Sequence, residues 1–374
     1  MDIVWWHVAI HRKELIQSAI RAGYDVHVAL PPGGDEKALQ ALGAEIHRVN
    51  LSRKGMEPFR EAVSLARLAP FYRKIKPRLV HHLTLKPVLY GTLAAAAARV
   101  PAVLNAVTGL GYLFDRHGAL FRTAREGVLR MLRPAFRRRN VFFLFQNEED
   151  RSEFERRGLA TPERTRVIPG SGVDIERFQP KHAPAEGMPI VVLPARLLRP
   201  KGVIEFVQAA RKLHQTGVRA RFLLAGRPDP GNPASISEAE IRDWMREGVV
   251  EWTGWVTDMP GLLARSHVVC LPSYREGLAM TILEAMAAGK PVVTTDVPGC
   301  RDAVTHGREG LLVPPRDPAA LAEALRTLIR DPGLRERMGA AGRARAVREF
   351  SAERVCEETL ALYERILEAT RRAP

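Results

Sequence analysis

The 374-residue chain is poor in several things, and each shortage removes a class of protein. Its three cysteines, Cys270, Cys300 and Cys356, lie far apart with no C-x-x-C pair. That spacing argues against both a disulfide framework and a cysteine zinc site. No apolar run reaches the roughly 18 to 20 residues needed to cross a bilayer, so no membrane span is expected. The first fifteen residues, MDIVWWHVAIHRKEL, lack a basic segment ahead of a long apolar core and a small-residue cleavage site. No secretory signal is predicted, and the expected address is the cytosol. Neither G-x-G-x-x-G after a strand nor G-x4-G-K-[ST] occurs, which disfavours a nicotinamide oxidoreductase and excludes a P-loop enzyme. Aromatic residues make up only 6% of the chain, and no basic strand interleaves with them, so nucleic acid is not an expected partner.

What is present is a globular composition, 46% hydrophobic and 26% charged, in a chain longer than one core usually supports. Two domains follow. The net charge of +15 calls for something anionic. The densest run, RHGALFRTAREGVLRMLRPAFRRR at 116–139, holds eight arginines against one glutamate. On a helical wheel Arg122, Arg125, Arg130, Arg133 and Arg137 gather on one side and Phe121, Val128, Met131, Leu132 and Phe136 on an adjoining one. This is the pattern of a helix lying in an anionic membrane surface, with Pro134 interrupting it; the alternative is a surface helix docked on its own domain.

The second half alternates short apolar strands with amphipathic helices. PIVVLPA, ARFLLAG, VVEWTG, HVVCLPS, PVVTTD and EGLLVPP read as strands. Ser237 and Glu240 form a capping box, and Asp317 caps a helix whose first residue is Pro318. Such alternation predicts a parallel sheet wrapped by helices. The first half repeats the theme, from MDIVWW as a strand to TRVIPGSG. The chain is therefore expected to be α/β, two doubly wound domains in tandem, with ligands at the carboxyl ends of strands and the active site in the cleft between domains.

Cations and carboxylates converge on those strand ends. Arg196 and Lys201, in ARLLRPKG, follow the first strand of the second half, where a diphosphate would need paired charge. Glu276 follows HVVCLPS, and the helix start at Leu278, Ala279 and Met280 offers backbone amides to phosphate oxygens. Glu284 comes after seven intervening residues. Two carboxylates beside a diphosphate are consistent if they face neutral hydroxyl groups, so the pair is expected to bracket a nucleotide sugar, with Gly277 allowing close backbone approach.

The segment EGLAMTILEAMAAGKPVVTTDVPGCRDAVTHGREGLLVPPRDPAALAEAL resembles the donor half of retaining family 4 glycosyltransferases, with Glu276 and Glu284 in their E-x7-E signature. ARLLRPKG is similar to their diphosphate-binding segment. Upstream, VHHLTLKPVLYGTLAAAAARVPAVLNAVTGLGYLF resembles the branch that extends polyprenyl-diphosphate-linked sugars for bacterial surface glycans. The resemblance implies a GT-B fold, two Rossmann-like domains facing a central cleft, and transfer of a sugar from a UDP-sugar with retained configuration, no metal and no cofactor. It implies that Arg196 and Lys201 bind diphosphate, Glu276 contacts the donor sugar and Glu284 the ribose. A GT-A transferase is disfavoured, since no Asp-x-Asp occurs. Two positions depart from the family pattern. Thr108 stands where many members carry a histidine before the glycine, here Gly109. The amino terminus is also short, leaving either a truncated first strand or a start farther upstream.

His11, His82, Lys86, Thr108 and Gly109 are the candidates on the acceptor side. The expected boundaries are 1–175 for an acceptor-binding domain, 176–350 for a nucleotide-sugar domain and 351–374 for a helix crossing back to the first. The expected partners are a UDP-sugar, a polyprenyl-diphosphate-linked saccharide and the anionic inner face of the cytoplasmic membrane. Two other functions stay open: a GT-B sugar-nucleotide epimerase, and a catalytically silent glycosyltransferase-like scaffold at the membrane.

Overall fold

The computed structural model describes residues 12–31, 36–49, 58–109, 119–181 and 187–371. The chain divides into two compact units, Met1–Gly172 with Ala352–Pro374, and Val173–Ser351. His11 and the strand expected at MDIVWW lie outside the described residues.

The second unit is one parallel sheet. Its strands are β7 (Ile190–Pro194), β8 (Arg221–Ala225), β9 (Glu251–Gly254), β10 (Val268–Leu271), β11 (Val292–Thr295) and β12 (Gly310–Val313), in the spatial order β12-β11-β10-β7-β8-β9. Side-chain alternation divides each strand between two cores. Val191, Leu193, Phe222, Leu224, Val268 and Cys270 belong to one, and Val192, Leu223, Ala225, Val269 and Leu271 to the other. Both faces are covered, which is why these strands read as unbroken apolar runs rather than as alternating ones. Each buried aliphatic side chain contributes about 1.5 to 3 kcal/mol relative to exposure.

The order also fixes where a ligand belongs. From β7 the chain steps outward through β8 and β9, then returns to β10 on the other side of β7 and steps outward again through β11 and β12. The direction reverses between β7 and β10, and in open sheets of this kind the carboxyl ends of the strands at such a reversal are where ligands bind. The helices that follow them are α7 (Val203–Gln215) and α10 (Met280–Ala287).

The first unit holds a four-stranded parallel sheet of β3 (Leu79–Leu83), β4 (Ala102–Val107), β5 (Val141–Phe145) and β6 (Thr165–Val167), and a separate parallel pair of β1 (His27–Leu30) and β2 (Glu45–Arg48). β4 is buried along its whole length. One of its faces packs with Phe136, Phe143, Phe145 and Phe154, the other with Val355, Leu362, Tyr363 and Ile366 of α13 (Ala352–Arg371). The carboxyl-terminal helix thus closes the second face of this sheet.

The basic segment differs from its expected form. α5 spans Ala119–Phe136 and runs through Pro134 without ending there. A proline two residues from a helix terminus removes only a hydrogen bond of the last turns, so it is tolerated. The apolar face is also not free. Leu129, Leu132 and Phe136 are buried in the unit's own core, and among the described side chains Val128 and Met131 are exposed.

Candidate active site

β7 ends at Pro194, and Arg196 follows two residues later. A turn at Arg199–Lys201 then leads into α7. Gly202 makes that turn fit: its φ is +72°, and a Cβ there would overlap the carbonyl oxygen of Pro272 after β10. The contact brings the two loops flanking the switch point together. Across it, Lys201 Nζ lies 2.5 Å from Glu276 Oε1, with both side chains largely buried. Ser273 Oγ donates to the same oxygen at 2.6 Å. Oε1 therefore accepts twice, while Oε2 makes no hydrogen bond among the described residues.

Glu276 is held from behind. Its amide donates to Pro298 O at 3.2 Å. Gly299, with φ +76°, presses on the same peptide so closely that a Cβ would lie 2.5 Å from Glu276 O and 2.7 Å from Gly277 O. Asp302 Oδ2 fixes that loop by accepting from Gly299 N at 2.7 Å. No side chain larger than hydrogen can stand at Gly299 without moving Glu276.

The helix starts two residues later than expected. Ala279 is the N-cap and α10 begins at Met280, so Leu278 and Ala279 lie in the approach to the helix and not in its first turn. Ala279 N donates to Gly299 O at 3.4 Å, whereas the amides of Leu278, Met280 and Thr281 make no such backbone bond. Thr281 Oγ1 donates to Pro194 O at 3.0 Å and ties this end of α10 to the end of β7. The positive end of a helix is thereby pinned at the switch point, suited to oxyanions.

Glu284 lies one turn into α10, half-buried, and among the described residues its side chain makes no hydrogen bond or ion pair. Burial pushes its carboxyl up to about 7, offset in part by the Arg177 guanidinium. Arg196 is paired at 3.0 Å with Asp229, whose own amide donates to Ser235 Oγ at 3.0 Å. Each expected diphosphate cation thus has a carboxylate partner: Asp229 for Arg196 and Glu276 for Lys201. One oxygen of Glu276 holds Lys201, an ion pair that sequence reasoning did not anticipate.

Sequence reasoning missed Ser273, Asp229, Gly299 and Asp302. Only proximity to a strand end marked Ser273 and Asp229, and a single glycine in VPGCRD carries no local sign of the peptide it packs against.

In the first unit the acceptor-side candidates separate. His82 is fully buried: Tyr72 Oη lies 2.9 Å from its Nε2 and Asn105 Oδ1 2.8 Å from its Nδ1, with Thr92 beyond. Desolvation drives this imidazole down to about 3. A ring enclosed in that network does not present itself to an acceptor, which corrects the expectation for His82. Its neighbour His81 is bonded through Nδ1 to Tyr363 Oη at 2.7 Å, tying α13 to β3. Lys86, Thr108 and Gly109 are half-buried beyond the carboxyl ends of β3 and β4. Thr84, just after β3, holds φ +71°, a strained conformation for a β-branched residue.

A doubly wound sheet with charge-bearing loops and a helix start at its switch point has the architecture of a Rossmann-like α/β domain. Residues 188–331 match the family described as glycosyl transferases group 1, and residues 4–143 match glycosyl transferase 4-like. The chain belongs to these GT-B glycosyltransferases. It is 27% identical over 355 residues to the N,N'-diacetylbacillosaminyl-diphospho-undecaprenol alpha-1,3-N-acetylgalactosaminyltransferase of Campylobacter jejuni, covering 92% of each chain. It is 26% identical to the capsular polysaccharide biosynthesis glycosyltransferase CapM of Staphylococcus aureus, over 92% of this chain and 90% of that one. Among solved structures, Anabaena Alr3699/HepE in complex with UDP-glucose superposes with a TM-score of 0.74 at 23% identity, over 93% of this chain and 95% of that one.

Proposed function

We propose that the protein is a retaining glycosyltransferase that moves a hexose or N-acetylhexosamine from a UDP-sugar to a polyprenyl-diphosphate-linked saccharide in surface glycan or polysaccharide assembly. The observation that carries the reading is the pairing of Lys201 with Glu276 across the switch point, with Glu284 one turn into the adjoining helix and lacking a partner. In this reading the diphosphate draws Lys201 away from Glu276, meets Arg196 and accepts from the amides at Leu278, Met280 and Thr281. Glu276 is released toward a sugar hydroxyl, and Glu284 accepts from the ribose diol.

The chemistry follows from that charge arrangement. The bond from the anomeric carbon to the diphosphate oxygen breaks as the acceptor hydroxyl approaches the same face. The new glycosidic bond forms there, and the hydroxyl proton passes to the departing diphosphate oxygen. The residues stabilise the charge that builds on the leaving group and supply no covalent nucleophile. The relative that acts on a diphospho-undecaprenol sugar to make an alpha linkage supports both acceptor class and stereochemistry, and the neighbour solved with UDP-glucose supports the donor class.

In the same reading the first unit binds the acceptor, with Lys86, Thr108 and Gly109 beside it, and the exposed Arg130 and Met131 of α5, with Arg137 and Arg138 just after it, rest on the anionic inner face of the cytoplasmic membrane. A panel of UDP-sugars incubated with polyprenyl-diphosphate-linked monosaccharides tests it: UDP should appear only with an acceptor present. Conversion of a UDP-sugar into its epimer without acceptor indicates the epimerase instead, and UDP binding with no turnover across the panel indicates the silent scaffold.

A further inference from the structure

A cluster unrelated to the donor site lies on the β1–β2 pair. The register sets His27 opposite Glu45, and Ala29 opposite His47. Glu45 and His47, two residues apart on β2, share a face, and His27 shares it from β1. His27 Nδ1 is 2.9 Å from His47 Nε2. It is 3.4 Å from Glu45 Oε2, while His47 Nε2 is 3.5 Å from Glu45 Oε1. The rings stack with centroids 5.1 Å apart, and Phe71 meets His47 edge-on at 5.2 Å, which fixes their orientation.

We propose that His27, His47 and Glu45 form a binding site for a divalent transition-metal ion of the zinc class. Ligands about 2.0 to 2.2 Å from a tetrahedral ion stand roughly 3.3 Å from one another; the two ring nitrogens are 2.9 Å apart, each lies 3.4 or 3.5 Å from one of the two oxygens of the single carboxylate, and one ligand atom from each of the three residues falls within 4.8 Å of the others. Two imidazoles with one carboxylate suit zinc, cobalt or nickel, whereas magnesium and calcium prefer all-oxygen sets. Asp25 completes the pattern from the far side of the ring, with Oδ2 3.4 Å from His27 Nε2. A carboxylate there holds the proton on Nε2 and turns the Nδ1 lone pair toward the cluster, as it does behind many metal-bound histidines.

Without a cation that same tautomer is unfavourable. The bare Nδ1 of His27 would face Glu45 Oε2 at 3.4 Å, lone pair against carboxylate, even with His47 donating to it. A positive charge between them removes the conflict, and either a metal ion or an extra proton supplies one. The side chains of both histidines are mostly covered while Glu45 is 62% exposed, so a bound ion would keep a position open to water. Lys74 contributes an opposing positive field at His47.

The test uses the full chain, stripped with a chelator and titrated with Zn²⁺ by calorimetry and with Co²⁺ by visible absorption. One ion per chain is expected, with tetrahedral cobalt bands. Affinity should fall more than about tenfold in His27→Ala and in His47→Ala, and measurably in the isosteric Glu45→Gln, with thermal melting of the metal-free variants confirming that they fold. Absence of saturable binding, or equal binding in all three variants, overturns the proposal. The former leaves a shared proton between the rings, and the latter assigns binding to other histidines among the eleven in the chain.

Discussion

Replacing Glu284 with glutamine should abolish a proton release that accompanies nucleotide binding. Burial pushes the wild-type carboxyl up to about 7, so at about pH 6.5 roughly three quarters of the chains carry the proton. A ribose diol donates to the charged form and favours it, which draws the group back toward its ordinary value of 4.5. At that value almost every carboxylate is ionised at about pH 6.5, so binding of a UDP-sugar, whose doubly esterified diphosphate carries no proton near this pH, should expel about 0.7 proton per site. UDP-sugar affinity should accordingly rise with pH and level off above about 7.5. The stability linkage has a defined sign. The folded chain holds this proton more tightly than the unfolded one, so the contribution is fully present below about 4.5 and is lost as pH rises through about 7. Calorimetry at one pH in two buffers of different ionisation enthalpy measures the release. Glu284→Gln should give buffer-independent heats and bind the UDP-sugar about tenfold more weakly, the scale of one hydrogen bond to a charged group. Equal heats in both buffers for the wild type, or the same release from the variant, would refute the ribose assignment.

Lys201→Ala should lower turnover on the order of a hundredfold, because a preorganised charge facing the leaving group is lost; single-turnover kinetics showing an unchanged chemical step would contradict that role. His82→Ala should destabilise the first unit by about 2 to 4 kcal/mol, combining a cavity with unpaired Asn105 and Tyr72 groups. Denaturant titration checks it, and an undiminished midpoint would argue against a structural network. Arg130→Glu with Arg137→Glu should reduce cosedimentation with anionic liposomes at low salt, each arginine contributing roughly 1 kcal/mol at such a surface, with UDP binding unchanged. Equal sedimentation by wild type and variant would leave α5 as a solvated face.

The second unit was legible because its physics is local. Each strand is a short apolar run, each helix has an amphipathic period, and the Ser237–Glu240 capping box is present as read. Its six strands fall where their apolar runs lie. The features that escaped depend on distant partners. α10 starts at Met280 because the preceding residues are engaged by Pro298 and Gly299, some twenty residues downstream. His82 reads as a strand-end histidine until Tyr72 and Asn105 close around it. The helix at Pro332–Glu349, rich in alanine, glycine and arginine with little amphipathic contrast, gives no clear period to follow. For the histidine pair, the signal exists only once β1 and β2 are paired in register. At the candidate site, residue types and strand ends were readable, whereas the Lys201–Glu276 pairing required the loops to be folded together.

The stereochemistry of the product tests the central claim most directly. An α-linked UDP-sugar should be incubated with an undecaprenyl-diphosphate-linked monosaccharide and the new anomeric proton read by NMR. Front-side displacement organised by Arg196, Lys201 and the start of α10 predicts an α linkage, formed only when the lipid-linked acceptor is present. A β-linked product, or a glycosyl adduct trapped on Glu276, would contradict the account.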